Sequence, residues 1–284
     1  MTRWMALCAL AVISWRGDHW AQQATFSVAV DSVRLDALVT DRGRVVRQLG
    51  AGDFEVLDNK VPQQVDVVTF EQVPLLVTMA FDMSFSVTGE RLEHLRLAGN
   101  AVLDELRPED RAQLLTFSQT VVRRQRSTSD VSLLRAALDG VQPAGDTSLY
   151  DGAFAATTLG ESSDGRNLVL LFSDGVDTAS WLSADQALTA ARRANVVVYS
   201  AVVRGESSLT FLGDLGRLTG GDVIEVESTR DLRGRFQTIL DEFRQRYLIS
   251  YTPRGVERRG WHDVVVRVKG RSVDVRTRPG YQAD

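Results

Sequence analysis

The sequence predicts a doubly wound α/β domain with a mostly parallel sheet, inserted between two β-rich segments. Three observations support this fold class. Apolar and polar residues alternate toward both ends of the chain, near-continuous apolar runs lie between those ends, and stretches with helical periodicity separate the runs. Alternation is typical of strands with one solvated face, whereas continuous runs between helices are typical of parallel strands covered on both faces.

The first residues have the pattern of an export signal. Arg3 precedes an apolar run from Trp4 to Trp15, which has the length of a signal-peptide core and is too short to span a bilayer. We therefore predict that residues 1–24 are a cleaved signal peptide and that the protein is exported to the periplasm, the cell surface or the medium. After cleavage we expect no transmembrane span, and no cysteine beyond Cys8 exists to form a disulfide.

Residues 25–72 form the predicted N-terminal β segment. Apolar side chains alternate along it, and turn residues separate the alternating stretches at 41–43 and 58–59. The alternating apolar positions are Val33, Leu35, Ala37 and Val39, then Phe54 and Val56, then Val65 and Val67. Short antiparallel strands are expected here.

Residues 246–284 form the predicted C-terminal β segment. Its apolar positions are Tyr247 to Tyr251, then Val264, Val266 and Val268, then Val273 and Val275, with glycine-containing turns between them. Neither β segment has enough strands to bury a two-layer core alone. We therefore expect both segments to pack together as one small β-sandwich, with the α/β domain of residues 73–245 inserted between them.

The central segment alternates apolar runs with amphipathic helices. The runs are Leu75 to Phe81, Gln113 to Phe117, Leu168 to Phe172, Val196 to Val203 and Val223 to Val226, with a short antiparallel edge strand expected at Thr120 to Val122. Apolar residues recur at helical spacing from Leu92 to Leu106 and from Leu232 to Phe243. These stripes predict helices that face the core.

Charge and composition limit the classes of partner. The chain is 44% hydrophobic, which is enough to bury a core, and its formal net charge is -4. Basic residues are scattered among acidic ones, so no basic patch of the kind that binds nucleic acid is present. We expect no DNA or RNA partner.

Oxygen-bearing side chains follow the apolar runs at three places. Asp82, Ser84 and Ser86 come after the first run, Thr147 lies in the turn of residues 145–148, and Asp174 follows the Leu168 to Phe172 run. In an open parallel sheet, ligands bind beyond the carboxyl ends of the strands. Hard oxygen donors select Mg²⁺, or alternatively Ca²⁺ or Mn²⁺, so the five residues predict a hard divalent cation site.

Together these motifs resemble those of the von Willebrand factor A (VWA) domain, whose metal-ion-dependent adhesion site is also found in integrin I domains. The resemblance covers roughly Pro74 to Arg244, and the Asp-x-Ser-x-Ser, Thr and Asp-Gly pattern is met in order by all five residues. It implies a Rossmann-like fold with an intact adhesion site. It also implies that Ser84 and Ser86 bind the ion directly, Thr147 directly or through water, and Asp82 and Asp174 largely through water.

A dication held mostly by neutral oxygens keeps much of its charge, so it attracts a carboxylate from outside. The sequence therefore predicts a non-enzymatic binding or adhesion module, whose partner is a protein or peptide that presents an Asp or Glu side chain. Asp146, where related sequences often have Gly, adds a carboxylate that either raises cation affinity or weakens the attraction for an acidic ligand.

The two β segments resemble those of bacterial exported proteins with such a domain, a type common in Acidobacteria. The stretches that carry this resemblance are residues 39–43, residues 53–56 and Tyr247 to Tyr251. It implies no functional residue, because these positions have the pattern of ordinary strands and turns.

Three alternatives compete with this prediction. The Ser and Thr residues are also typical helix caps, although capping does not explain why two Asp and three hydroxyls occur together. The sequence is also compatible with a structural or assembly module in which the metal only stabilises the loops. A Mg²⁺-dependent phosphatase would use Asp82 as nucleophile, but such enzymes have a second acid where Ser84 stands and a core lysine that neither Lys60 nor Lys269 can supply.

Overall fold

The computed structural model describes residues 32–71, 73–161, 165–173, 176–204 and 209–283. The predicted signal peptide, residues 1–24, lies outside the described residues, and so does the predicted metal ligand Asp174. Within the described ranges, no helix combines the length and the apolar character needed to cross a membrane.

Strands and helices of the described residues are numbered in chain order. The strands are β1 (Val33–Asp41), β2 (Arg44–Val45), β3 (Phe54–Asp58), β4 (Val61–Gln63), β5 (Val65–Phe70), β6 (Leu75–Asp82), β7 (Arg111–Phe117), β8 (Val121–Thr128), β9 (Arg166–Phe172), β10 (Val197–Val203), β11 (Asp222–Val226), β12 (Tyr247–Tyr251), β13 (Gly260–Val268), β14 (Asp274–Arg276) and β15 (Gly280–Ala283). The helices are α1 (Glu90–Asp104), α2 (Val131–Asp139), α3 (Leu149–Leu159), α4 (Ala184–Arg193), α5 (Leu209–Thr219) and α6 (Leu232–Arg244).

A six-stranded sheet in the order β11-β10-β9-β6-β7-β8 forms the centre of the α/β part. All of its neighbouring strands run parallel except β7 and β8, which are antiparallel. The prediction of a mostly parallel sheet is confirmed. The edge strand expected at Thr120 to Val122 is longer than predicted, because β8 continues to Thr128.

Helices cover both faces of this sheet, which explains the continuous apolar runs. Every residue of β6 is buried. Met79 and Phe81 pack in one core with apolar residues of α1, α2 and α6, whereas Ala80 packs in a second core with residues of α3, α4 and α5. A strand buried on both faces needs apolar residues at nearly every position.

The strands of the two terminal segments pair with each other. β1 pairs antiparallel with β12 and β14, while β13 pairs antiparallel with β3. They belong to a five-stranded sheet, β14-β1-β12-β5 with β2 on β1, and a four-stranded sheet, β15-β13-β3-β4. A third hydrophobic core contains residues of both sheets, including Leu35, Phe54, Ile249 and Val266.

Buried arginines connect the six-stranded sheet to β1. Arg166, at the start of β9, donates from Nε to Asp36 Oδ1 over 2.6 Å, and its side chain is 2% exposed. The guanidinium of Arg246, which is fully buried, donates to the Tyr199 hydroxyl at 2.7 Å and to the carbonyls of Gly220 and Asp36 at 2.6 and 3.3 Å. The α/β part and the terminal strands therefore share polar contacts as well as chain connections.

Candidate metal centre

Asp82 is the last residue of β6 and is completely buried. Its Oδ1 accepts a hydrogen bond from the Ser84 backbone N at 2.9 Å, and its Oδ2 accepts one from Ser173 Oγ at 2.7 Å. Ser173 follows β9, which lies beside β6 with Phe81 opposite Phe172. The carboxylate is thus held from two neighbouring strand ends, and one lone pair of each oxygen is already used.

Ser84 and Ser86 present their hydroxyls side by side. The two Oγ atoms are 2.9 Å apart, and either one can be the donor. Ser84 is buried and Ser86 is exposed, so the pair extends from the interior to the surface. Two hydroxyl oxygens at this separation are close enough to contact one small cation.

The loop that contains Thr147 is hydrogen-bonded to the loop after β6. The backbone N of Phe85 donates to the Gly145 carbonyl at 3.0 Å, and the Ala144 N donates to the Met83 carbonyl at 2.8 Å. Gly145 has a φ of +75°, a conformation that favours glycine. Thr147 follows two residues later and is 6% exposed.

The loop after β9 is attached to Thr147 in turn. The backbone N atoms of Thr178 and Ala179 donate to the Thr147 carbonyl at 2.9 and 3.0 Å, and the Thr147 N donates to Thr178 Oγ1 at 3.1 Å. All three loops that the sequence singles out are therefore joined at the carboxyl edge of the sheet, as expected for residues after parallel strands.

The structure brings together Asp82, Ser84 and Ser86, and ties the Thr147 backbone to the same loops. Asp174 stays a prediction, because it lies outside the described residues. Ser173 and Thr178 are not among the site residues that the sequence predicts. The position of Ser173 directly after a buried strand is visible in the sequence, whereas the contact of Thr178 with Thr147 depends on the fold.

The described donors are one carboxylate and several hydroxyls. In the described part of the chain, no group of three or more His, Cys, Asp or Glu side chains is placed to hold a metal ion. A centre whose ligands are mainly Ser and Thr hydroxyls has no such group, because it does not depend on His, Cys, Asp or Glu side chains. Hydroxyl and carboxylate oxygens without nitrogen or sulfur suit hard divalent cations, so the donor set fits the cation predicted for it.

The three loops of the candidate centre have no positively charged side chain. Residues 82–89, 143–151 and 173–183 contain no Lys or Arg. Besides Asp82, their sequence contains Asp146, Asp151, Asp174 and Asp177. Asp146 is exposed, and Gln119 Nε2 lies 3.4 Å from its Oδ2. The three loops therefore attract cations and repel anions.

The model of the von Willebrand factor type A domain matches residues 77–176. This segment includes most of β6, the Thr147 loop and β9, so the match to the VWA domain falls within the α/β part of the chain. Domains of this type commonly mediate protein–protein adhesion. The resemblance drawn from the sequence is confirmed at this level, and an intact adhesion site stays a prediction.

Curated relatives match over part of their length. Human inter-alpha-trypsin inhibitor heavy chain H4 is 24% identical over 234 residues, which are 77% of this chain and 25% of that protein. The bovine heavy chain H4 is 25% identical over 171 residues, or 56% of this chain and 19% of that protein. The chain thus spans a quarter or less of the length of these relatives.

Solved structures share the fold. A von Willebrand factor type A protein from Catenulispora acidiphila has a TM-score of 0.56 and 11% identity, covering 79% of this chain and 72% of that one. Proximal thread matrix protein 1 from the mussel byssus has a TM-score of 0.55 and 16% identity, covering 66% and 49%. The mussel protein was also solved with zinc in its metal-ion-dependent adhesion site (MIDAS) motif. That structure has a TM-score of 0.54 and 16% identity, and the match covers 66% of this chain and 49% of that one.

Proposed function

We propose that this chain is a non-enzymatic binding or adhesion module that captures an acidic group of a protein partner through a divalent cation. The cation is Mg²⁺, with Ca²⁺ or Mn²⁺ as alternatives. Ser84, Ser86 and Thr147 bind it, and Asp82 and Asp174 act largely through water. The observation that carries this proposal is the paired Ser84 and Ser86 hydroxyls beside a buried, doubly hydrogen-bonded Asp82.

The arrangement of Asp82 supports binding of an external acid. Its two oxygens accept hydrogen bonds from the chain, which favours a supporting position behind the hydroxyls over strong direct neutralisation of the ion. A cation contacted mainly by neutral oxygens keeps a large field at its open side. The bound ion then provides the positive charge that the three loops do not contain.

The cation site is tested by titrating Mn²⁺ into the full chain and measuring the free ion by electron paramagnetic resonance. We expect saturable binding that weakens by at least about tenfold in Ser84→Ala/Ser86→Ala, since this variant lacks two inner ligands. Ser127→Ala is the matched control, because Ser127 lies on β8 at the opposite end of the sheet and bonds Arg111. Equal binding by the double variant and the wild type would refute the proposed ligands.

Capture of an acid is separated from a purely stabilising metal by water proton relaxation. Acetate added to the Mn²⁺-loaded protein should displace a bound water and lower the relaxation enhancement, because an open coordination position accepts a carboxylate. Unchanged relaxation, together with a higher melting temperature in Mn²⁺, would instead favour a structural or assembly module whose metal only stabilises the loops.

We also propose an overall organisation for the exported protein. Residues 25–72 and 246–284 form a small β-sandwich, and residues 73–245 form the inserted VWA domain. The pairing of β1 with β12, the pairing of β3 with β13 and the shared third core support this organisation. Export rests on the Arg3 and apolar pattern of residues 1–24.

A further inference from the structure

Large apolar side chains are exposed on the loops that form the candidate metal centre. Among the described residues, the two most exposed are Trp181, at 93%, and Phe85, at 67%. Both lie on loops of the carboxyl edge, and Val176 on the same loop as Trp181 is 50% exposed. Exposed aromatic side chains of this size are typical of protein interaction sites.

Phe85 is held in place by its backbone. It lies between the two serines whose hydroxyls are 2.9 Å apart, and its own N donates to the Gly145 carbonyl at 3.0 Å. The loop is therefore fixed on both sides of the residue while the ring stays in solvent. A partner bound through a cation at Ser84 and Ser86 must pass beside this ring.

Trp181 is held in the same way. Its backbone N donates to Asp151 Oδ2 at 3.0 Å, and the Leu182 N donates to Asp151 Oδ1 at 2.9 Å. The preceding Ser180 Oγ accepts hydrogen bonds from the backbone N atoms of Tyr150 and Asp151 at 3.1 and 3.2 Å. A fixed backbone with a free indole ring loses little conformational entropy when a partner covers it.

We propose that Phe85, Val176 and Trp181 form an apolar rim that selects the partner. The preferred partner segment presents its acidic residue between large apolar side chains, which pack on the rim while the carboxylate reaches the cation. This inference rests on the proposed function and adds the kind of sequence that flanks the captured acid.

Charge and burial favour a partner segment whose acidic residue lies between apolar side chains. The three loops contain no Lys or Arg and several carboxylates, so away from the cation an acidic or polyanionic surface is repelled. Apolar neighbours of the acid avoid that repulsion. They also exclude water from the contact between the cation and the carboxylate, and this exclusion strengthens the electrostatic attraction.

The test uses fluorescein-labelled peptides and the full chain, with binding followed by anisotropy in Mg²⁺ and in EDTA. The probes are Gly-Leu-Asp-Phe-Gly, Gly-Ser-Asp-Ser-Gly and Gly-Leu-Asn-Phe-Gly. We expect the apolar-flanked Asp peptide to bind about tenfold more tightly than the Ser-flanked one, and we expect EDTA to abolish the binding of both peptides. The Asn peptide should not bind measurably.

Substitutions in the apolar rim test whether its side chains cause the preference for the apolar-flanked peptide. Trp181→Ala and Phe85→Ala should each reduce the tenfold preference severalfold and leave Mn²⁺ binding unchanged, whereas Trp181→Phe should retain most of it. Trp261→Ala and Phe154→Ala are matched controls, because these residues are 36% and 38% exposed outside the three loops. The controls should keep the full preference.

The outcomes separate the two proposals. If both Asp peptides bind equally and EDTA abolishes both, the rim does not select the partner, but the proposed function stands. A preference that survives in Trp181→Ala and Phe85→Ala also overturns the rim. If the Asn peptide binds as well as its Asp counterpart, or if no probe binds in Mg²⁺, both proposals are overturned.

Discussion

At the scale of single residues, the buried Tyr199 hydroxyl is expected to make the free energy of unfolding depend on pH. Burial is the main cause that raises the pKa of its hydroxyl from 10.0 to about 12, and the nearby Glu242 carboxylate acts in the same direction. Between these two values the unfolded chain has released this proton and the folded chain has not. The unfolding free energy therefore falls, by up to about 1.4 kcal/mol per pH unit, as the pH rises above about 10.

We predict that Tyr199→Phe makes this alkaline decline shallower. The variant is less stable near pH 8, because the hydroxyl accepts from Arg246 and donates to Glu242. It loses less further stability between pH 10 and 12. Part of the decline remains, since burial also raises the pKa of Tyr251 and Tyr281. Urea unfolding at several pH values measures both slopes, and parallel slopes would show that Tyr199 does not cause the effect.

Asp58 is a single residue whose structural role the sequence pattern does not indicate. The pattern indicates turn residues at Asp58 and Asn59, and the positive φ of Asn59 and Lys60 agrees with a turn there. Asp58 itself is completely buried. Its carboxylate bonds His262 Nδ1 at 2.7 Å, Tyr251 at 2.9 Å and Tyr281 at 2.8 Å. These partners lie about 200 residues away along the chain, so local spacing does not predict them.

At the scale of elements, two glycines have opposite expected effects. Gly220 and Gly221 directly follow the C-terminal end of α5. A Cβ at Gly221 would lie 1.8 Å from the Val198 carbonyl oxygen of β10, a backbone atom that cannot move aside easily. In contrast, a Cβ at Gly234 in α6 meets nothing within 4 Å.

We predict that Gly221→Ala destabilises the protein by about 3 kcal/mol or more, because it forces α5 and β11 away from β10. Gly234→Ala is the control, and it should stabilise by about 0.5–1 kcal/mol through helix propensity. Urea unfolding monitored by circular dichroism measures both changes. A Gly221→Ala protein as stable as the wild type would contradict the close approach of β10.

The elements also differ in how well the sequence predicts them. The buried strands and the helices α1 and α6 have strong apolar patterns, and their predicted positions agree with the structure within a few residues. The length of β8 is underestimated because Arg123, Arg124 and Arg126 interrupt its alternation. Charged side chains are common on edge strands, where they prevent pairing with other chains, and they weaken the apolar periodicity.

At the scale of the whole molecule, the ion pair between Arg166 and Asp36 connects β9 to β1. Both side chains are largely buried, at 2% and 13% exposure. We predict that Asp36→Ala destabilises the protein by about 3–5 kcal/mol, because it leaves a buried guanidinium without its carboxylate. Calorimetry should show a single transition that moves to lower temperature.

The exposed pair of Arg217 and Asp214 provides the control, and Asp214→Ala should change stability by less than about 1 kcal/mol. Two separate transitions in the wild type, with only one affected by Asp36→Ala, would contradict the coupling of β1 to the six-stranded sheet.

The sequence predicts those parts of the candidate metal centre that lie directly after the strands of the parallel sheet. Asp82, Ser84 and Ser86 follow one strand, and their clustering follows from local spacing. The hydroxyl of Ser173 that holds Asp82, and the exposure of Trp181 and Phe85, result from how distant loops meet, which requires the fold. Residue types alone therefore predict a cation site, while the structure adds the groups that orient the proposed ligands.

The central claim is tested most directly by anomalous diffraction from crystals of the full chain soaked in Mn²⁺. The account predicts one strong peak at the carboxyl edge of the six-stranded sheet, within about 2.0–2.6 Å of the Ser84 and Ser86 hydroxyl oxygens. A saturated crystal with no peak there, or with a peak that these two oxygens do not contact, would contradict it.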